Sequence, residues 1–458
     1  MIKSVFGVED LREFFDSHAT LSYDFRKKQL EAFLRTIIKY DDEINIALFM
    51  DLKKSKEEAW ATETGLLIGE IKNAIKNLHK WLKPKKVSAG LVTFPSSAKL
   101  YRDPLGVVLI IAPWNYPLQL LLIPLVGAIA GGNCAVLKPS ELAPATEKII
   151  LKIIEETFPE NYIKVVTGDG ADVVPDMINN FRFDHIFYTG STTVGKEIYK
   201  LAATDLIPVT LELGGKSPCI VYDDADIKVA AKRIVLGKFL NAGQTCIAPD
   251  YILVHETVKK ELLNELKNVI EKFYTNNAAS SNDYGKIINE NRFKKLLGYL
   301  NTDQIFYGGK SDAAASYIEP TILINISLND DVMKQEIFGP VLPVLFFATT
   351  NDAMEIVQQN ANPLAFYLFT KDKKTMDEWI EKIPFGGGCI NNTVWHFANE
   401  KFPFGGIGNS GTGAYHGKNT FNVFTHAKPV LKTSTLVDPS LKYPPFKGKL
   451  KWFKKLIG

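Results

Sequence analysis

Short apolar runs that alternate with helix-like stretches begin at Val107 and limit the folds open to this chain. The runs are Val107–Ala112, Cys134–Leu137, Lys164–Val166 and Asp184–Tyr188, and a helical pattern follows each of them. Each run has the length of a strand that is buried on both faces. Strands that alternate with helices in this order predict a parallel, doubly wound α/β sheet of the kind that binds dinucleotides.

The segments on either side of this block differ in their pattern. Residues 8 to about 83 are predicted to be helical. A second α/β block begins at Leu211 and runs to about residue 415, with predicted helices at 226–240 and 256–272 and a predicted strand at Tyr251–Val254. The apolar residues that share one face of an early predicted helix, opposite its charges, are Leu30, Phe33, Leu34, Ile37 and Ile38.

Composition excludes several classes of protein. The 458 residues carry a net charge of only +3, so nothing indicates nucleic acid as a partner. The four cysteines lie far apart and form no CxxC pair, and no His or carboxylate cluster has metal-ligand spacing, so we predict no catalytic metal. The N-terminus lacks the apolar run of a signal peptide, and no window is long enough to span a bilayer. We therefore expect a cytoplasmic protein with free thiols.

One cysteine has surroundings that are unlike those of a core residue. Cys246 follows Asn-Ala-Gly-Gln-Thr, whereas Cys134 and Cys219 lie in apolar strands. Glu212 ends a strand-like segment just before Gly214 and Gly215, and its apolar neighbours predict partial desolvation and a raised pKa. A cysteine nucleophile and a carboxylate that acts on water are the minimum equipment for forming and hydrolysing a thioester.

These segments resemble a known family, the NAD(P)-dependent aldehyde dehydrogenases. The motifs are Phe239–Pro249 around Cys246, Leu211–Lys216 around Glu212, and Pro113-Trp-Asn-Tyr-Pro117, and the similarity covers nearly the whole chain. The resemblance implies that Cys246 attacks an aldehyde, that Asn115 stabilises the oxyanion together with the Cys246 N–H, and that Glu212 directs water onto the thioester. On local sequence alone, Asn115 could equally be an Asx-turn residue beside proline.

The resemblance also implies the cofactor site. Tyr188-Thr-Gly-Ser-Thr-Thr-Val-Gly195 matches a GxTxxG variant in which Gly190, Ser191 and Gly195 lie against the cofactor. Lys138 and Glu141 become candidates for the adenosine ribose, although both could be solvated surface charges. A carboxylate there would repel a 2′-phosphate, which favours NAD over NADP.

The motif Gln335-Glu-Ile-Phe-Gly-Pro340 completes the expected cofactor contacts. The resemblance places Glu336 at the nicotinamide ribose and Phe338 near the nicotinamide ring. The same residues also have the pattern of a helix C-terminus that Gly339 and Pro340 stop, and both interpretations can hold together.

Several segments resemble the class 3 branch, among them Asn362–Phe369, Pro403–Gly411 and Tyr415–Lys418. That branch implies a homodimer that oxidises medium- or long-chain aliphatic or aromatic aldehydes. Trp114, Tyr116 and Trp395 would suit an apolar substrate passage. The alternatives are a carotenoid-aldehyde specialist of the same chemistry and a catalytically silent NAD-binding or structural protein of this fold.

The expected fold has two doubly wound α/β domains and a small β oligomerisation arm. Residues 1–86 and 103–210 form the predicted NAD(P)-binding domain, and residues 211–417 form the catalytic domain. Residues 87–102 and 418–446, which contain the strand-like segments Leu91–Tyr101 and Phe421–Leu431, form the arm. The tail, 447–458, carries five lysines opposite an apolar face and is either a frayed terminus or a basic helix on an anionic membrane surface.

Overall fold

The computed structural model describes residues 7–275, 277–300 and 303–457. Its N-terminal part is helical, as predicted, and a single π-helical turn at Trp60–Thr64 separates the last two helices. Leu30, Phe33 and Ile37 are fully buried, but Ile38 is 53% exposed, so its predicted place on the apolar face is wrong. The helices are α1 (Glu9–Asp16), α2 (Tyr23–Lys39), α3 (Asp41–Leu52), α4 (Lys56–Ala59) and α5 (Gly65–Leu82).

The four predicted buried strands of the first block are confirmed to within one residue at each end. The strands at Val107–Ile111, Cys134–Lys138 and His185–Thr189 are buried at every residue, whereas in the strand Ile163–Val165 only Ile163 is buried. The elements of this part of the chain are β1 (Lys85–Val87), β2 (Ser96–Pro104), β3 (Val107–Ile111), α6 (Gln119–Gly131), β4 (Cys134–Lys138), α7 (Pro144–Thr157), β5 (Ile163–Val165), α8 (Gly170–Asn180), β6 (His185–Thr189), α9 (Thr192–Thr204) and β7 (Val209–Glu212).

The strand order of the first sheet creates a crevice at one edge. From β3 the chain winds outward through β4 and β5, and it then returns to the other side of β3 with β6 and β7. These five strands are parallel. The winding direction therefore reverses between β3 and β6, and ligands bind open α/β sheets beyond the carboxyl ends of the strands at such a point.

The second block forms a sheet of seven strands in the order β10-β13-β14-β9-β8-β15-β16, in which only β10 is antiparallel to its neighbour. The predicted helices and strand of this block are present, and the first sheet and this one have separate hydrophobic cores. Its elements are β8 (Pro218–Val221), α10 (Ile227–Phe239), β9 (Tyr251–His255), α11 (Lys259–Tyr274), α12 (Glu290–Gly298), β10 (Ile305–Tyr307), β11 (Ser311–Asp312), β12 (Tyr317–Ile318), β13 (Thr321–Leu323), α13 (Asp331–Lys334), β14 (Val341–Phe347), α14 (Thr350–Gln358), β15 (Ala365–Phe369), α15 (Lys373–Lys382) and β16 (Gly387–Ile390).

A small three-stranded sheet extends from these two sheets. The chain continues through β17 (Gly411–Thr412), α16 (Lys418–Val423) and β18 (Thr425–Thr433), and β2 pairs with β1 on one side and β18 on the other. The two segments predicted to be strand-like, Leu91–Tyr101 and Phe421–Leu431, are each wrong at their N-terminal end. Residues 91–93 form a 3₁₀ turn, and residues 421–423 are helical because Phe421 is buried against Trp81, with ring centroids 5.4 Å apart.

Two strands of the first sheet lie partly or wholly outside the range predicted for the NAD(P)-binding domain. The domain limits themselves stay a prediction. Strand β7 continues to Glu212 within the first sheet, two residues beyond the predicted boundary at 210. Strand β17 lies in the predicted catalytic range but pairs with β7, through Gly411 opposite Glu212.

The tail forms helix α17 (Leu450–Ile457), which is amphipathic as predicted. Leu450, Trp452 and Ile457 are exposed, while Phe453 packs on Phe446 with ring centroids 5.9 Å apart. Contact of this helix with a membrane surface stays a prediction. Among residues 7–275, 277–300 and 303–457, none of the helices has the length and apolar character that crossing a bilayer requires.

Candidate active site

The site lies beyond the carboxyl ends of β3, β6 and β7, which are adjacent in the first sheet. Asn115 follows β3, Gly190 and Ser191 follow β6, and Glu212 is the last residue of β7. All four line a cleft of about 850 Å³. Residues that are far apart in sequence meet here because neighbouring parallel strands end at the same edge of the sheet.

Cys246 is presented to this cleft by a loop from the second block. The preceding turn, Leu240–Gly243, holds Asn241 and Ala242 at φ 52° and 51°. Cys246 is half-buried, whereas cysteines that serve only as core residues are usually fully buried. Cys246 lines both the cleft and a second, smaller cavity. Burial, together with the negative charges of Glu336 and Glu212, raises the pKa of the Cys246 thiol to about 12. The chain by itself therefore holds this sulfur as a thiol at neutral pH.

Glu212 is 2% exposed, and neither of its carboxylate oxygens has a hydrogen-bond partner within the described residues. Burial raises its pKa well above that of an ordinary glutamate. This is the direction that the apolar neighbours in the sequence predict. A carboxyl group without partners at the edge of a cleft is free to accept a proton from water or from a ligand.

Asn115 is also buried, at 2% exposure. Its Nδ2 donates to the Gln244 carbonyl at 3.0 Å, and this contact joins the loop after β3 to the loop that carries Cys246. An amide nitrogen has two hydrogens, so one of them remains for a ligand. The backbone carbonyl oxygen of Asn115 accepts hydrogen bonds from the side chains of Lys54 and Asn241.

The turn between β6 and α9 forms one wall of the cleft. The Ser191 hydroxyl accepts the Val194 N–H as an N-cap, so the beginning of α9 points into the cleft, and Thr192 and Thr193 line it. Free N–H groups at a helix N-terminus favour an anion. Gly195 is not among the lining residues; a Cβ there would lie 2.6 Å from Leu213 Cδ2, so glycine lets α9 pack closely on the sheet.

The opposite wall carries Glu336 and Phe338. Burial and the charge of Asp250 raise the pKa of Glu336 to about 8. The Phe338 ring packs edge-on against Trp114 with centroids 5.4 Å apart. A Cβ on Gly214 would overlap the Glu336 carboxylate, so Gly214 makes room for this side chain.

Lys138 and Glu141 lie at the carboxyl end of β4, outside the lining of the cleft. Lys138 is 2% exposed on its side chain and pairs with Glu141 at 2.9 Å. The interpretation of Lys138 as a solvated surface charge is therefore wrong, while Glu141 is partly exposed beside the N-terminus of α8. The set of a helix N-terminus, buried carboxylates and an aromatic wall fits a dinucleotide. Contact of Lys138 and Glu141 with its adenosine ribose stays a prediction.

A narrow apolar cavity, here called the passage, opens on the other side of Cys246. Tyr116 lines it, as predicted, but Trp114 lines the cleft, and Trp395 lines neither cavity and is 53% exposed. Most of its walls were not identified from the sequence, although three of the quoted segments contain some of them. The passage residues not identified from the sequence are Thr62, Gln119, Leu120, Leu240, Thr245, Ile247, Val394, Phe397, Phe404, Tyr415 and His416.

Residues 8–430 match the model of the aldehyde dehydrogenase family. The chain belongs to this family. It is 46% identical to 4,4′-diaponeurosporen-aldehyde dehydrogenase of Staphylococcus aureus, over 97% of both chains. It is 40% identical to the dog enzyme called aldehyde dehydrogenase, dimeric NADP-preferring, over 97% of this chain and 98% of that one. The structure of substrate-bound S. aureus AldH superposes with a TM-score of 0.96, at 46% identity over 98% of each chain.

The chain is therefore an NAD(P)-dependent aldehyde dehydrogenase that oxidises an aldehyde to the acid. This excludes the alternative of a catalytically silent protein of the same fold. Family 3 members are among its relatives at about 40% identity, in agreement with the class 3 resemblance. In the described part of the chain, no group of three or more His, Cys, Asp or Glu side chains is placed to hold a metal ion.

Proposed function

We propose that Cys246 is the nucleophile of aldehyde oxidation. The support is its position: it is the cysteine that lines both the cleft and the passage, so a substrate in the passage meets a cofactor in the cleft at its sulfur. The sulfur adds to the aldehyde carbon to give a thiohemiacetal, and the proton of the thiol leaves to a base. Asn115 Nδ2 and the Cys246 N–H donate to the oxyanion that develops.

A nicotinamide cofactor in the cleft would supply the hydride acceptor for this oxidation, which leaves a thioester on Cys246. Gly190 and Ser191 at the start of α9 would hold its pyrophosphate, Lys138 and Glu141 its adenosine ribose, and Glu336 and Phe338 its nicotinamide side. Gly195 contributes through the close packing of α9 on Leu213. NAD is favoured over NADP because Glu141 would repel a 2′-phosphate.

Glu212 acts on water in the second half of the reaction. Its carboxylate takes a proton from a water molecule, whose oxygen adds to the thioester carbon, and the acid leaves as the sulfur recovers its proton. The raised pKa makes Glu212 a stronger base than an exposed glutamate. Its two unpartnered oxygens support this role, since no protein donor competes for them in the described residues.

The passage supports an apolar substrate. Aromatic and aliphatic side chains form its walls and it is narrow, which suits an extended medium- or long-chain aliphatic or aromatic aldehyde. A carotenoid aldehyde, long and apolar, is the second candidate, and the 46% identity to a diaponeurosporen-aldehyde dehydrogenase favours it. Turnover of a graded series of aldehydes distinguishes the two: a carotenoid specialist loses efficiency steeply on medium-chain substrates.

We also propose that the three-stranded sheet joins two copies of the chain. Its outer strand β18 has a nine-residue backbone edge that no other strand of the described residues pairs with, and an exposed edge of this length favours pairing with another sheet. Exposed apolar side chains, Leu91, Val92 and Phe94, lie in the segment just before β2 of the same sheet. Light scattering on the purified protein should give twice the chain mass of 51.1 kDa.

Cys246→Ala tests the proposed nucleophile. The variant lacks the sulfur and nothing else, so it should bind NAD as the unchanged protein does and show no dehydrogenase turnover. Cys389→Ala, which alters the other half-buried cysteine, is the matched control and should retain turnover. Normal turnover by the Cys246→Ala protein would refute the assignment.

A further inference from the structure

A buried ion pair lies behind the proposed oxyanion site and takes no part in the chemistry described so far. Lys54 and Glu63 are both fully buried on their side chains, and Lys54 Nζ lies 2.6 Å from Glu63 Oε1. Buried charges are costly unless every polar atom finds a partner. This pair lies well away from solvent, so its partners indicate what it does.

The partners of the pair lie in the loop that carries Asn115. Lys54 Nζ donates to the Asn115 carbonyl at 3.0 Å and lies 3.9 Å from the centre of the Tyr116 ring. Glu63 Oε2 accepts the N–H groups of Leu118 and Gln119, at 2.9 and 3.2 Å, at the N-terminus of α6. The pair therefore holds the loop after β3 at its middle, through Asn115, and at its end, through Leu118 and Gln119.

The same carbonyl is held from the side of the nucleophile loop. Asn241 Nδ2 donates to the Asn115 carbonyl at 2.8 Å and to the Gln244 carbonyl at 3.2 Å. The Asn241 N–H in turn donates to Glu58 at 2.9 Å, and Glu58 lies one turn before Glu63. Asn115 Nδ2 also donates to the Gln244 carbonyl, so hydrogen bonds connect Asn115, Asn241 and Gln244 in a closed cycle.

The local backbone is adapted to this arrangement. The chain from Trp60 to Thr64 is a π-helical turn, which moves Glu63 out of ordinary helical register, and such turns often occur at functional sites. Asn241 adopts φ 52°, which costs free energy for a residue other than glycine. Both departures bring a side chain to the backbone of the loop at Asn115.

We propose that Lys54, Glu63 and Asn241 are positioning residues that fix the Asn115 amide beside the Cys246 N–H. The inference rests on the oxyanion role proposed above. Three donors and acceptors converge on the backbone of one loop, so the amide is oriented before substrate binds. Preorganised donors are effective because no reorganisation is needed as the oxyanion forms.

The test uses the double variant Lys54→Met/Glu63→Gln, which removes both charges together, and Asn241→Gly, which removes the second donor at a φ that glycine tolerates. Lys152→Met/Glu43→Gln, an exposed pair at 2.8 Å, is the matched control. For each protein, kcat for aldehyde oxidation is measured beside the rate at which iodoacetamide alkylates the Cys246 peptide. Alkylation displaces iodide and forms no oxyanion, so it is insensitive to the amide donor.

We expect kcat to fall about tenfold to a hundredfold in both network variants, as for a misplaced donor, while the alkylation rate and the KM for NAD stay near those of the unchanged protein. Unchanged kcat in either network variant that folds, or an equal fall in kcat and alkylation, would overturn the inference. If the double variant does not fold, Asn241→Gly decides alone. Asn115→Ala separates the two proposals: if it keeps full kcat, the oxyanion role itself is wrong.

Discussion

The cleft and the passage meet at Cys246 and are built from different groups. The cleft has a helix N-terminus and buried carboxylates, and the carboxyl ends of parallel strands form it. The passage is mainly apolar, and helical and loop residues from separate parts of the chain form it. The difference indicates a division of labour, in which the cleft carries the chemistry and the passage selects the aldehyde. Substitutions in the cleft should therefore leave the selection of the aldehyde unchanged, and substitutions in the passage should leave the chemical steps unchanged.

The largest effect is expected on the cleft side. Glu212→Gln cannot take a proton from water, so we expect steady-state kcat to fall by about 10²- to 10⁴-fold, the usual value of a general base. Rapid mixing should still show a burst of reduced cofactor, because the steps before hydrolysis do not need the carboxylate. A variant that loses the burst as well would show that Glu212 acts earlier than proposed.

A second effect concerns the charge state of the sulfur. With the pKa of Cys246 at about 12 in the cofactor-free enzyme, the thiolate is the minor form at pH 7–9 and its fraction grows as pH rises. Alkylation of the Cys246 peptide should therefore accelerate about tenfold per pH unit from pH 7 to 9 without levelling. An ordinary thiol would begin to level near pH 8.5. A plateau below pH 9 would contradict the burial and charge that raise this pKa.

On the passage side we expect a smaller and more selective change. Leu240→Trp narrows the passage and should raise KM for long apolar aldehydes by about tenfold, while KM for a two- or three-carbon aldehyde and for NAD stays the same. Leu297→Trp, which enlarges an exposed leucine outside both cavities, is the control. Equal changes for short and long aldehydes would mean that the passage does not select by length.

The tail should have the smallest effect. Helix α17 lies outside the lining of both cavities, so truncation at Lys447 should leave kcat and KM for soluble aldehydes unchanged. If the basic face binds anionic lipid, the intact chain should float with phosphatidylserine vesicles and the truncated chain should not. If both chains stay in the soluble fraction, the interpretation as a frayed terminus is favoured.

The same contrast explains what could be predicted from the sequence. Four strands of the first sheet, β3 to β6, were predicted to within one residue because they are short apolar runs, three of them buried at every residue. The chemically active residues Cys246, Glu212 and Asn115 lie in short motifs with unusual polar or glycine neighbours. The convergence of Glu212 and Asn115 follows once the strands of the first sheet are placed side by side, whereas Cys246 reaches the cleft on a loop from the second block.

The passage and the positioning network could not be predicted in this way. Thr62, Leu240 and Phe404 lie far apart in the sequence, and nothing in their local sequence shows that they share a cavity. Lys54 and Glu63 have the pattern of surface charges on a helix, since charged residues are seldom buried. Tertiary contacts also decide the helix at Lys418–Val423, where burial of Phe421 against Trp81 overrides a strand-like sequence.

The central claim is that the sulfur of Cys246 carries the acyl group between the two cavities. Mass spectrometry of the Glu212→Gln protein, quenched in acid after mixing with aldehyde and NAD, tests it most directly. The account predicts one added acyl group per chain, on the peptide that contains Cys246. An acyl group on the Cys389 peptide, or acid formed with no protein adduct at any time, would contradict it.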